Sequence, residues 1–144
     1  MSQTRSSRKI AASPEHVFDA VAHIENFSKA VPEIIKVEFL SDQRAGVGTR
    51  FRETRLMKGR ETTTELEVTE YESPQRIRLV SDEGGTVWDT VFTVAPDGDE
   101  IVLTMVMDAR PHTLLARVTT PLISRMVRKA VEADMDAIKE YCEL

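Results

Sequence analysis

Between residues 34 and 110 apolar and polar positions alternate with a period of two, and glycine-bearing pairs interrupt the alternation at strand-length intervals. Lys58-Gly59, Gly84-Gly85 and Asp97-Gly98 have hairpin chemistry, since glycine supplies the positive φ that a two-residue turn requires. A turn at Lys58-Gly59 sets Phe51 against Leu66, Glu53 against Thr64 and Arg55 against Thr62 on one face. On the other face the same register sets Arg50 against Glu67 and Arg52 against Glu65, opposite charges that agree with it independently. A turn at Gly84-Gly85 pairs Ile77 with Phe92, Leu79 with Thr90 and Ser81 with Trp88. A turn at Asp97-Gly98 pairs Val94 with Ile101, Phe92 with Leu103, Thr90 with Met105 and Trp88 with Met107. Both registers send Trp88, Thr90, Phe92 and Val94 to one side, as alternation demands. With a further turn at "YESPQ", the segment predicts a six-stranded antiparallel meander with one apolar face.

Helical periodicity flanks the meander. Ser13 and Pro14 form a capped helix start, and Val17, Phe18, Val21 and Ala22 follow at helical spacing. Ile24, Phe27 and Val31 continue it after a break near His23, and Pro32 closes the second helix. Neither helix is long enough to stand alone in water, so both must pack on the sheet. After Pro111 the pattern stays helical to the end, with a stripe of Leu115, Thr119, Leu122, Met126, Ala130, Ala133 and Ala137 expected to cover the apolar face. Asp134 lies within the apolar half of this helix and is expected to be solvated or locally capped. Pro121 should kink the helix or mark its true start, with Thr119 or Thr120 as cap. The segment Thr113 to Thr120 could then swing to admit a ligand. A seventh strand before Ser13 rests on "TRSSRKIA", which is mostly polar.

Composition narrows the class without naming a chemistry. The chain has 144 residues, 41% hydrophobic and 30% charged, the balance of one ordinary folded domain spanning 1–144. No apolar run reaches the roughly 18–20 residues a membrane helix needs, so stable membrane insertion is not expected. The start "MSQTRSSRKI" is basic without an apolar segment, unlike a secretory signal. Cys142 is the single cysteine, which excludes an intramolecular disulfide and fits a reducing cytoplasm. A net charge of −5 argues against nucleic acid as partner. Either a monomer or a homodimer is compatible with these features.

One strand, two short helices, a meander and a long terminal helix make an α+β helix-grip layout, a curved antiparallel sheet of about seven strands around a C-terminal helix. The residues "I-AASPEHVFDAVAHIENFSKAVPEI", "GVGTRFRETRLMKGRETTTELEVTEYESPQRI", "PDGDEIVLTMVM" and "EADMDAIKEYCEL" carry a resemblance that covers essentially the whole chain. The chain resembles the START/birch-pollen-allergen-like (SRPBCC) superfamily, in particular its bacterial polyketide cyclase/dehydrase and lipid-transport group. The resemblance is made of caps, turns and alternation and includes no catalytic motif, so it speaks to architecture more than to function. It implies a cavity for a small hydrophobic molecule between sheet and long helix, with the two short helices closing one end.

The expected lining follows from the registers. The first hairpin contributes Phe51, Glu53, Arg55, Met57, Thr62, Thr64 and Leu66. The next strands contribute Leu79, Trp88, Thr90, Phe92, Leu103, Met105 and Met107, and the helix Leu122 and Met126. Glu53 and Arg55 point inward, where a buried charge is costly unless paired. They read either as a mutually neutralising pair or as a polar anchor in which Arg55 donates to a ligand's carboxylate, carbonyl or phenol. His112 could border the entrance. His16 and His23 lack a second ligand at metal spacing, and no metal or cofactor site is expected. "GVGTRF" joins two strands and lacks the third glycine of a dinucleotide loop. Arg117, Arg125, Arg128 and Lys129 read as a solvated helix face, the acidic residues after Glu132 diluting any contact with an anionic membrane.

Three function classes remain. The first is binding, and possible transport, of a lipid, quinone or polyketide-like ligand. The second is a cofactor-free polyketide cyclase or aromatase using Glu53 as acid or base and Arg55 as enolate stabiliser. The third is a protein-interaction module like the coenzyme Q-binding and ribosome-associated toxin-like relatives.

Overall fold

In the computed structural model, which describes residues 2–144, the alternating segment folds as six strands and a further strand precedes them. In chain order the elements are β1 (Ser2–Ile10), α1 (Pro14–Ala22), α2 (Ile24–Ala30), β2 (Ile34–Phe39), β3 (Arg50–Met57), β4 (Arg60–Glu72), β5 (Arg76–Glu83), β6 (Thr86–Asp97), β7 (Glu100–Pro111) and α3 (Leu114–Cys142). The strands form one antiparallel sheet in the order β1-β7-β6-β5-β4-β3-β2, so β1 closes one edge and β2 the other. This is the helix-grip fold. Phe18, Ile10, Ile77, Leu103, Met135 and Ile138 are fully buried where sheet, short helices and α3 meet.

Two hairpins take the registers expected of them. Lys58 (φ +53°) and Gly59 (φ +77°) both adopt left-handed backbone, which twists the turn with its strands and holds Phe51 opposite Leu66 and Glu53 opposite Thr64. Gly84-Gly85 likewise places Ile77 opposite Phe92 and Ser81 opposite Trp88. The third register differs. The loop centres on Gly98-Asp99, so Val94 pairs with Leu103, Phe92 with Met105 and Thr90 with Met107. Gly98 takes φ +63° as the first loop residue rather than the second, which moves the pairing by two residues. A slip of two preserves each side chain's face, so the inner set is unchanged. On the outer face Arg50 bonds Glu65 at 3.1 Å, diagonally across β3 and β4, and not Glu67 directly opposite. Long side chains reach such diagonal neighbours readily.

The helices are fixed by local chemistry. Ser13 Oγ accepts the His16 N–H at 3.2 Å, and Thr113 Oγ1 accepts the Ala116 N–H at 3.1 Å. α3 (Leu114–Cys142) is therefore capped by Thr113, and Pro121 lies inside it rather than opening it. Thr120 is no cap: its hydroxyl bonds Thr86 Oγ1 at 2.8 Å. The segment expected to swing is tied to the β5–β6 turn. A Cβ on Gly85 would fall 2.5 Å from Thr113 Oγ1, so only glycine allows this approach.

α3 also turns a different face to the sheet. Its buried residues are Ala116, Thr120, Ser124, Val131, Asp134, Met135, Ile138 and Cys142, whereas Leu115 and Leu122 are about three-quarters exposed (74% and 76%). The covering face sits one residue further along than the stripe of Leu115, Thr119 and Leu122, about 100° of rotation. Two contacts set this angle. At the front the tight Gly85-Thr86 turn admits only small side chains, and towards the back Asp134 is drawn to Arg55. Strand β1 explains its own polarity. β1 pairs with β7 along its whole length, and Arg8 ties it to α3 through Asp136 and Glu132, both at 2.9 Å, so the strand needs few apolar residues.

Candidate functional site

Between the inner face of the sheet, α2 and the middle of α3 lies a cavity of about 280 Å³. The alternation of β3 to β7 aims one side of each strand into it. Phe51, Met57 and Leu66 come from the first hairpin, Leu79 and Ser81 from β5, Trp88, Thr90 and Phe92 from β6, and Met105 and Met107 from β7. Met126, Val127, Ala130 and Val131 close it from α3. The floor is made by Val21 and Ala22 of α1 and by Ile24 and Phe27 of α2. Phe18 packs edge-on against Tyr71 and Phe27 against Phe92, which fixes the short helices in the open end of the sheet. These helices, too short to stand alone, are structural parts of the cavity wall.

Three expected lining residues are elsewhere. Thr62 is exposed and stands outside the lining, although Arg55 opposite it and Met57 nearer the turn belong to it. Leu103 is fully buried in the core, since the two-residue slip of β7 carries it down towards Val94. Leu122 points outward because of the rotation of α3. His112 is not at the cavity either; its Nε2 lies 2.8 Å from Asp82 Oδ1 on the surface. Conversely Ser81, Glu83, Val127, Val131 and Asp134 line the cavity without having been expected there. Register gave a signal for Ser81, which pairs with Trp88, and the place of Asp134 in the apolar half of the helix was one for its burial, but nothing local points to Arg55 as its partner.

Polar chemistry is concentrated at one end of this apolar space. Arg55 donates from Nη1 to Asp134 Oδ1 at 3.0 Å and from Nη2 to Asp134 Oδ2 at 2.9 Å, a two-pronged bond. Its Nε lies 3.5 Å from Glu53, and Nη1 also lies 3.5 Å from Glu33. Asp134 is only 5% exposed, so the expectation of a solvated aspartate is corrected by the length and direction of the Arg55 side chain. The pairing of Glu53 with Arg55 is the looser one. Burial works against the charge on Arg55, yet the bonds to Asp134 and the attraction of Asp134, Glu53 and Glu33 raise its pKa above the ordinary value. Glu53 is less well served. Desolvation pushes its carboxyl above the usual carboxylate range, Arg55 only partly opposes this, and Asp134 adds to the rise. Elsewhere in the cavity the Ser81 hydroxyl is buried with no hydrogen-bond partner among the described residues.

The raised carboxyl has a measurable sign. Folded Glu53 holds its proton more tightly than unfolded Glu53, so its contribution is fully present below the unfolded pKa. It is lost as pH rises through the folded value. Glu53→Gln cannot ionise and escapes that loss. Thermal melts from pH about 4 to about 8 should therefore show the variant gaining on the wild type as pH rises. Parallel curves would mean that Glu53 titrates normally.

Cys142 is buried and its thiol is pushed up to about 11, first by desolvation and then by Glu143, which leaves it a packing group. Among the described residues no helix is long and apolar enough to cross a membrane.

The geometry agrees with what the chain is similar to. A family model described as "Polyketide cyclase / dehydrase and lipid transport" matches residues 1–143. Solved structures with the same fold include a START superfamily protein from Mycobacterium smegmatis, 18% identical, covering 98% of this chain and 97% of that one, with a TM-score of 0.78. The di-domain ARO/CYC BexL from the BE-7585A biosynthetic pathway is 15% identical with a TM-score of 0.82. That match covers 99% of this chain but 50% of BexL, so the chain corresponds to half of it. Norcoclaurine synthase from Thalictrum flavum is 18% identical, covering 96% of this chain and 91% of that one, at a TM-score of 0.72. No curated protein matches the sequence.

Proposed function

The chain belongs to the polyketide cyclase / dehydrase and lipid transport family, and on that premise we propose that it binds and carries one small, uncharged hydrophobic molecule in the cavity beneath α3. A lipid, a quinone or a polyketide-like ring system fits this description. The carrying observation is the pairing of an apolar cavity of about 280 Å³ with a polar end whose arginine is already neutralised. Apolar burial supplies the binding energy, at about 25 cal/mol per Å² before ordering costs. Each of the three Arg55 nitrogens faces a carboxylate, so Arg55 has no spare charge for a ligand carboxylate. An incoming anion would instead meet the excess of acid formed by Glu33, Glu53 and Asp134. A neutral hydroxyl or carbonyl meets no such penalty and can bond the Glu53 carboxyl.

Calorimetry with a matched pair of probes tests the proposal. 2-Naphthylmethanol and 2-naphthoate share one ring system and differ in charge. The alcohol should bind at least about tenfold more tightly than the carboxylate at neutral pH, a difference of about 1.4 kcal/mol. Equal or tighter binding of the carboxylate would refute the uncharged ligand, and no binding of either would refute the cavity as a site. Native mass spectrometry of protein purified without additives then identifies the molecule it retains.

One observation favours a second reading, an enzyme of the cyclase type. Burial raises the pKa of the Glu53 carboxyl beside an apolar cavity, and that is the direction in which a carboxyl is tuned towards general-acid work. Turnover of the retained molecule separates enzyme from carrier. The interaction-module reading has less support, because Arg78 and Arg110 pair with Asp89, and Arg78 also with Glu70, in an ion-pair network on the outer face of the sheet.

A further inference from the structure

The first half of α3 presents its oily side to the solvent. Leu114, Leu115, Val118, Leu122 and Met126 are 81%, 74%, 67%, 76% and 54% exposed, while the small residues Ala116, Thr120 and Ser124 of the same turns are buried. The exposed residues recur at three- and four-residue spacing, so they form one stripe along the helix. A contiguous apolar face of this kind marks a surface that something covers.

The charge around it says what. Arg117, Arg125, Arg128 and Lys129 lie on the exposed flank of the same turns, and none has an ion pair among the described residues. From Ala109 to Val131 the chain has five of its 19 Lys and Arg and none of its 24 acidic residues. This is a local cationic zone in a chain of net charge −5. A two-fold contact between copies would set this patch against itself, cation facing cation, which disfavours a second copy as the occupant. An apolar stripe flanked by free Arg and Lys is instead the pattern of a helix lying at an anionic lipid interface.

We propose that this face of α3 docks on the surface of an anionic phospholipid bilayer. The stripe enters the headgroup boundary, the cations meet lipid phosphates and carboxylates, and the acidic remainder of the chain sets the orientation by repulsion. Met126 belongs both to the stripe and to the cavity lining, so docking brings that wall of the cavity to the bilayer. The docking itself does not depend on which molecule the cavity takes.

Sedimentation with vesicles of phosphatidylcholine alone, and of phosphatidylcholine with about a third phosphatidylserine, tests this at low and high salt. The wild type should pellet with the anionic vesicles at least about tenfold more than with the neutral ones, and less so as salt rises. Leu115→Glu with Leu122→Glu should stay in the supernatant, and so should Arg125→Gln with Arg128→Gln, which keeps the stripe intact. Both pairs are exposed, and circular dichroism checks their folding. Val47→Glu, exposed in a loop away from α3, should pellet like the wild type. Wild type that ignores anionic vesicles, that binds neutral ones equally, or that is unaffected by the leucine substitutions overturns the proposal. So does a dimer in sedimentation velocity that the leucine substitutions break, since it would make the occupant a second copy.

Discussion

Arg55→Met should lower the free energy of unfolding by about 3–5 kcal/mol, the cost of removing one partner from a buried ion pair. The same loss should appear as a fall in Tm of roughly 10–15 °C for a chain of this size. Arg55 is mostly buried, and its bonds to Asp134 connect β3 to α3 across 79 positions of sequence. Without it Asp134 is left unpaired in a site that is only 5% exposed. Glu53 can take up a proton, as its raised pKa already favours, so the penalty falls mainly on Asp134. Replacing both partners, Arg55→Met with Asp134→Leu, removes the stranded carboxyl and should recover most of the loss. A single variant within about 1 kcal/mol of the wild type, or a double variant no more stable than the single, would mean that the cluster is wet and energetically idle. On this account Arg55 positions Glu53 and anchors α3, and its loss acts on the fold before it acts on any ligand.

The way this cluster escaped the sequence is instructive. Strand registers were legible because each is decided within a hairpin: Lys58-Gly59 fixes Phe51 opposite Leu66 by turn geometry alone. The Gly98 hairpin shows the limit of that logic, since "DGDE" allows glycine at either central position and the pairing moves by two residues. The face was still right, because alternation survives an even slip. α3 departs from its periodicity for a different reason. Periodicity finds its most hydrophobic side, and that side, with Leu115 and Leu122, is the one in solvent. The side that packs was chosen by partners distant in sequence: Gly85 leaves room for Ala116, Thr86 bonds Thr120, and Arg55 donates to Asp134. No local rule carries that information. The polar strand β1 is the same case, since Arg8 finds Glu132 and Asp136 at the far end of the chain.

The second large effect concerns the cavity alone. Ala130→Trp should reduce the affinity for 2-naphthylmethanol at least about a hundredfold, which is about 2.7 kcal/mol. Ala130 sits on α3 between Met126 and Asp134, half-buried and lining the space, so a larger side chain there is directed into the volume a ligand needs. An indole would occupy much of a cavity of about 280 Å³. The backbone tolerates the change, because replacing alanine by tryptophan in a helix costs well under about 1 kcal/mol in propensity. The indole also enters a predominantly apolar lining, which offsets part of any crowding. Folding should therefore persist while binding is lost, opposite to Arg55→Met. Leu115 and Leu122 are untouched by this change, so vesicle binding should remain at the wild-type level. Undiminished affinity in a folded Ala130→Trp protein would place the ligand outside the cavity. Because that result would leave the docking face of α3 unaffected, the two proposals stand or fall separately.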